Sequence, residues 1–253
     1  MSEKIAKKWH SKFEFKAGKW IFIPTGDGLS LGRRIHKKIK SSWTPPEYYY
    51  HLQRGGHIAA SKIHIGNSYF VRLDICNFFG SISRGRVTRT LKPLVGYKTA
   101  REYAHASTVK KITGLGTMIP YGFPQSQILA SVCLYNSALG VSLNKIFNVR
   151  DVVVSVYVDD IIISSDTIEK LKAAEELVKV SAIKAGFELN SLKQQGPSQE
   201  INSFNIDISK HGLKISEPRM NLFQSRIWNA SPEEMAGIHS YVNSVNPMQL
   251  KLL

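Results

Sequence analysis

Adjacent carboxylates are costly to hold together, yet Asp159 and Asp160 stand side by side in an otherwise apolar stretch. Val152-Val-Val-Ser-Val-Tyr157 precedes them and Ile161-Ile-Ile-Ser-Ser165 follows, a pattern that predicts a buried β-hairpin with the acids in its turn. Turns favour Asp for local hydrogen bonding, so an isolated Asp-Asp turn needs no further function. Here the flanks are Val and Ile, so the turn faces a cavity or cleft, and two like charges there call for a cation between them. A third carboxylate, Asp74, ends the strand-like run Tyr69-Phe-Val-Arg-Leu73. Aspartates at two adjacent strand ends suit two Mg²⁺ ions, which are typically bound by one or two carboxylates plus substrate phosphates. Two such ions, about 3.5–4 Å apart, clamp the attacking and leaving oxygens of an in-line phosphoryl displacement. That is chemistry for joining nucleotides.

Other segments must position these acids. Trp20-Ile-Phe-Ile23 predicts a short strand ended by the turn Pro24-Thr-Gly-Asp-Gly28, and Trp43-Thr-Pro-Pro-Glu47 a stiff connector. Helices are expected over 83–94 and 98–112. A loop set by Gly114, Gly116, Pro120, Gly122 and Pro124 leads into one long helical pattern over 125–147. Asp166 and Glu169 have capping-box spacing for a helix that stops at Gly186. Strands are expected at 187–190, 201–209 and 213–216, the last after a His211-Gly212 turn, then one helix over 233–245. The fold class is α+β, an antiparallel sheet with helices on one face.

Composition narrows the partners. The 253 residues are 43% hydrophobic and 21% charged, as in folded globular proteins. No run approaches the ~18 apolar residues of a membrane span, and the N-terminus has no apolar signal core. Two cysteines, Cys76 and Cys133, are too few for a disulfide framework or a thiolate zinc site, and they read as small buried residues in a reducing cytoplasm. The net charge of +15 points to a polyanion, most simply nucleic acid, with surface lysines kept for solubility as the plainer alternative. The first 40 residues carry eleven basic side chains, Lys4 and Lys7 among them, against three acids, which marks a contact surface. Trp9, Phe13, Phe15 and Trp20 lie among those charges and read as half-buried packing, or as stacking platforms for single-stranded bases.

Three segments together carry a resemblance. Tyr157-Val-Asp-Asp160 resembles the Tyr-x-Asp-Asp motif of reverse transcriptases. Phe70-Val-Arg-Leu-Asp74-Ile-Cys-Asn-Phe-Phe-Gly-Ser-Ile82 resembles the family's first catalytic segment, and Pro120-Tyr-Gly-Phe-Pro-Gln-Ser126 its Pro-x-Gly-x-Pro-x-Ser loop. The order matches, with 85 positions from Asp74 to Asp159. The style is that of bacterial retron-type and defence-associated enzymes. This resemblance implies a right-hand polymerase: fingers and a basic N-terminal region at 1–68, palm at 69–216 with fingers helices inserted near 83–115, and a short thumb-like segment at 217–253. It implies that Asp74 and Asp159 ligate two Mg²⁺ ions, or Mn²⁺ in their place, with the Ile75 carbonyl and Asp160 completing the set. Phe79 falls where the family blocks a ribose 2′-hydroxyl, and is otherwise a core phenylalanine. Gln125 and Gly122 would shape the nucleotide pocket, and 203–209 would form the primer-grip hairpin. Arg33 and Arg34 are candidates for the triphosphate, or a solvated pair. Lys193 is a candidate proton donor to pyrophosphate, or a surface lysine.

Thr25 stands where relatives carry Lys, Tyr121 where Gln is usual, Gln127 where Pro is usual, Ser131 where Asn is usual and Val158 where Ala is common. His57 and His64 read as structural or RNA-facing. The implied activity is RNA-directed DNA synthesis from dNTPs, in a retron-like or antiviral defence setting. The implied partners are a structured non-coding RNA as template, a DNA product, and a partner protein or second copy packed on the short thumb-like segment. The competing readings are a palm scaffold that binds nucleic acid without synthesis, and an untemplated or protein-primed nucleotidyltransferase.

Overall fold

In the computed structural model, residues 8–253 are described. Lys4 and Lys7 of the basic N-terminal region lie outside the described residues. The aromatic and basic residues that open the described chain alternate, and they pair as an antiparallel hairpin, β1 (Trp9–Lys16) with β2 (Lys19–Pro24). Phe13 and Phe15 are exposed, Trp9 and Trp20 half-buried, and Phe22 buried. Helix α1 (Gly26–Ser42) follows, with Gly32, Ile35 and Ile39 buried along one stripe and Arg33, Arg34, Lys37 and Lys38 exposed. Thr25 is its N-cap, accepting the Gly28 amide at 3.1 Å. Next come α2 (Gly56–Lys62), β3 (Tyr69–Asp74), α3 (Arg84–Val95) and α4 (Tyr97–Ala106).

The helix expected over 98–112 stops at Ala106. Thr108 turns its hydroxyl back on the Ala104 carbonyl at 2.7 Å, and the Lys8 ammonium donates to the carbonyls of His105 and Thr108. Val109–Lys110 (β4), expected as helix, instead pairs with Thr117–Met118 (β5) of the expected loop. The single helix expected over 125–147 is two, α5 (Ser126–Tyr135) and α6 (Ala138–Phe147), bent by 77°. Asn136 and Ser137 cause the break. The Asn136 side chain donates to the Val132 carbonyl at 3.0 Å, and the Ser137 hydroxyl accepts the Gly140 amide at 3.2 Å. No single described helix is long and apolar enough to cross a membrane.

The expected hairpin forms as β6 (Val152–Tyr157) and β7 (Asp160–Ser165). Helix α7 (Ile168–Lys184) begins later than the spacing suggested, because the Asp166 carboxylate accepts the Ser68 hydroxyl at 2.6 Å instead of capping. It ends at Gly186, φ +67°, with the Phe187 amide on Ala182 and the Gly186 amide on Ile183. Residues 187–190 form no strand, only the bridge of Leu189 to Ile75. Then follow β8 (Gln195–Ser198), β9 (Glu200–Ser203), β10 (Ile206–Ser209) and β11 (Gly212–Ile215), so the strand expected at 201–209 is two strands around a Phe204-Asn205 turn. Helices α8 (Glu217–Ile227) and α9 (Pro232–Val245) follow, one more than expected, and a 3₁₀ helix over Pro247–Leu252 ends the order. Ser231 and Glu234 make a capping box on α9.

Contacts divide the chain into two units that alternate along it. Of the described residues, one takes 8–46, 76–141 and 182–188; the other takes 47–75, 142–181 and 189–253. In the first, Phe22, Val109 and Phe123 form a small buried cluster. In the second, a four-stranded antiparallel sheet has the order β6-β7-β3-β8, and a three-stranded one the order β11-β10-β9. Phe70, Ile162, Ile206, Ile208, Met220, Phe223 and Val242 pack in the core of this unit.

Candidate active site

Strand register brings the acids together. β3 pairs with β7 so that Asp74 lies directly opposite Asp160, and β6 pairs with β7 so that Tyr157 lies opposite Asp160. The hairpin loop is therefore only Val158 and Asp159. Val158 has φ +61° while Asp159 does not share the positive φ, the pattern of a type II′ turn that normally asks for Gly first. A β-branched residue there holds strain of about 1–3 kcal/mol. The Asp159 carbonyl accepts the Ile75 amide at 2.9 Å, which ties the turn to the end of β3.

Two cations answer the buried acids. Asp74, 3% exposed, accepts the Lys193 ammonium, and the Asn190 amide donates to its carbonyl at 2.8 Å. Asp160 receives the Arg72 guanidinium twice through one oxygen, at 2.6 and 2.9 Å, while the remaining Arg72 nitrogen donates to the Asn202 carbonyl at 3.0 Å. Burial pushes the Asp160 carboxyl up from its ordinary value; Arg72 pulls it back and the like charge of Asp74 adds to the rise. Lys193 is pushed up, first by its hydrogen bond to Asp74, then by the charges of Asp74, Asp159 and Asp160. Among the described residues no three His, Cys, Asp or Glu side chains form a preassembled metal cluster, and Asp74 and Asp160 are engaged by Lys193 and Arg72.

Neighbouring side chains brace the hairpin. His64, fully buried, bridges the hydroxyls of Ser155 and Ser164 at 2.8 and 2.7 Å, which makes it structural rather than RNA-facing. Tyr157 packs edge-on against Phe204 at 5.1 Å and against His57 at 6.0 Å. Arg72 was not singled out from sequence. Its signal was present: an arginine inside an apolar strand, two residues before Asp74 and so on the same face.

The other unit holds the remaining candidates. Phe79, 9% exposed, meets the Tyr121 ring edge-on at 4.8 Å. Gly122 has φ +96°, and a Cβ there would lie 2.3 Å from the Phe22 carbonyl oxygen, so only glycine fits. Gln125 is 1% exposed, donates to the Ser107 hydroxyl at 3.1 Å and lies under Gly32 of α1. Arg33 and Arg34 are exposed on α1. Cys133 is buried, whereas Cys76 is only partly so.

A family profile described as reverse transcriptase (RNA-dependent DNA polymerase) matches residues 11–216. The chain belongs to the reverse transcriptase family. The retron Ec86 reverse transcriptase of Escherichia coli is 24% identical over 226 residues, which cover 86% of this chain and 63% of that protein. The chain thus spans under two thirds of this relative's length. Solved structures of similar fold include a foamy viral protease-reverse transcriptase with double-stranded DNA, at TM-score 0.55 and 17% identity, covering 91% of this chain and 35% of that one. Telomerase from Candida tropicalis, truncated from its C-terminal domain, follows at TM-score 0.50 and 14% identity, covering 74% of this chain and 45% of that one. The fold is that of right-hand polymerases. Within this reverse transcriptase fold, the Thr25 departure has a local cause, since that residue caps α1.

Proposed function

We propose that this chain is an RNA-directed DNA polymerase that adds dNTPs to a primer with two divalent metal ions, Mg²⁺ or Mn²⁺. The observation that carries the reading is the register of β3 against β7, which sets Asp74 across from Asp160 with Asp159 on the adjoining turn. The donor set is of the right chemistry for a hard cation, being carboxylate and carbonyl oxygen. Arg72 already pairs with Asp160, and the Lys193 ammonium occupies Asp74 in the manner of a stand-in cation. Asp74, Asp159, Asp160 and the Ile75 carbonyl would hold the ions. When bound, they stabilise the attacking and leaving oxygens of phosphoryl transfer. Lys193, whose ammonium reaches Asp74, would be the group to give a proton to departing pyrophosphate. Phe79 would select the sugar, Gly122 and Gln125 shape the base pocket, and Arg33 or Arg34 meet the triphosphate. The template in this reading is a structured non-coding RNA in a bacterial retron-like or defence system, and the setting is the cytoplasm.

The test is single-nucleotide incorporation on an RNA template with a DNA primer. Asp74→Asn and Asp159→Asn should each abolish it while Tm stays close to wild type, because the change removes charge and keeps shape. Chelation by EDTA should stop wild-type synthesis, and Mg²⁺ or Mn²⁺ should restore it. Normal incorporation by either variant would end the assignment. Sequencing of the nucleic acid that copurifies, and of any product made on it, separates templated synthesis from untemplated addition.

A further inference from the structure

The strained turn is held from outside its hairpin. In a two-residue turn the amide of the first central residue has no place in the strand ladder, and here that residue is Val158. Its N–H donates to Nδ1 of His51 at 3.0 Å. The same ring nitrogen lies 3.4 Å from the Val156 carbonyl oxygen, but one nitrogen cannot both accept and donate. The shorter contact comes from an obligatory donor, so it makes Nδ1 the acceptor and assigns the ring proton to Nε2.

His51 reaches this position because its segment runs along the open edge of the sheet. β6 is the outer strand; its Val156 amide donates to the Tyr48 carbonyl at 2.7 Å, and Tyr49 bridges to Val156. Two residues further on, the His51 ring packs edge-on against Tyr157 at 5.9 Å. Burial lowers its pKa to about 4, which agrees with a neutral imidazole that accepts. One side chain therefore touches both the ring and the backbone of the first half of Tyr157-Val-Asp-Asp160.

We propose that His51 is a positioning residue for nucleotide addition: its unprotonated Nδ1 fixes Val158 in the left-handed conformation and so sets the direction in which Asp159 is presented. This rests on Asp159 being a catalytic carboxylate. His51 itself touches no reacting atom. It acts through the turn.

The experiment compares His51→Asn with His51→Phe in the full chain, each with and without Val158→Gly. Asn places its Oδ1 near the Nδ1 position and keeps an acceptor; Phe keeps the ring and loses it. Single-nucleotide incorporation with Mg²⁺ should show kcat reduced about tenfold or more in His51→Phe, with KM for dNTP little changed, as expected when a reacting group is displaced. His51→Asn should recover most of kcat at a similar Tm. Val158→Gly removes the strain, so His51→Phe should cost far less in that background. Amide hydrogen exchange at Val158, faster in Phe and protected in Asn, reads the hydrogen bond without reference to activity. Equal losses in Asn and Phe, losses that track Tm, or full kcat in His51→Phe would overturn the proposal alone. No incorporation by the wild type would remove the polymerase reading, and this proposal with it, even where Val158 exchange behaves as expected.

Discussion

Taking the guanidinium from Arg72 would leave Asp160, whose side chain is only 15% exposed, without its direct partner and opposite Asp74. Breaking a fully buried pair costs about 3–5 kcal/mol; for this slightly open one we expect about 2–3 kcal/mol from Arg72→Met, read as a fall in Tm. Arg72→Met with Asp160→Asn should regain at least half of that fall, since the carboxylate left behind causes the loss. A full-sized fall in the double variant would assign Arg72 to packing or to its bond with Asn202 instead. Phe79 poses a different question. Its ring is held edge-on by Tyr121 and remains slightly open, so it can both pack and guard a sugar. Phe79→Val should raise ribonucleotide incorporation relative to dNTP while synthesis continues, and an unchanged ratio would return Phe79 to the core.

At the scale of elements, the brace formed by His64 between β6 and β7 makes stability depend on acid. Burial lowers the His64 pKa to about 3 and the His51 pKa to about 4, both below the ~6.5 of an unfolded chain. The unfolded state therefore takes up protons that the folded state refuses. Stability from these groups is whole above about pH 6.5 and falls as pH drops toward 4, by up to about 1.4 kcal/mol per pH unit for each group. Melting temperatures from pH 7.5 to 4.5 should follow that slope, and His64→Gln, which still bonds to both serines but does not titrate, should flatten it. An unflattened slope would place the acid sensitivity elsewhere. The β6–β7 hairpin was legible because Val and Ile runs have one plausible home, a buried sheet, and β3 because aromatic and β-branched residues favour a strand. The helix break at Asn136-Ser137 was not, because Asn and Ser sit in helices as well as at caps, and only contacts to Val132 and Gly140 decide between them. The same limit hid His51, which works through Val158, a partner distant in sequence whose register no local pattern reveals.

For the molecule as a whole, a charge of +15 leaves far more positive side chains than its carboxylates can pair. If the chain binds RNA as proposed, counterion release should dominate that hold. Affinity for an unrelated single-stranded RNA should fall at least about tenfold between 50 and 200 mM salt, with log affinity linear in log salt. Binding that ignores salt would mean that shape or stacking, not charge, supplies the grip. The alternation of the two contact units along the chain reaches further, into the seconds of synthesis. When β3 has been synthesised, both of its neighbours are still unmade, for β7 starts 86 residues after the end of β3 and β8 follows later still. At about 5–20 residues per second, that strand waits roughly 4–17 s with both edges open and Phe70, Val71 and Leu73 uncovered. A ribosome-bound nascent chain stopped near residue 150 should therefore be a substrate for chaperones and proteases. One stopped with β7 and β8 clear of the exit tunnel should have escaped both.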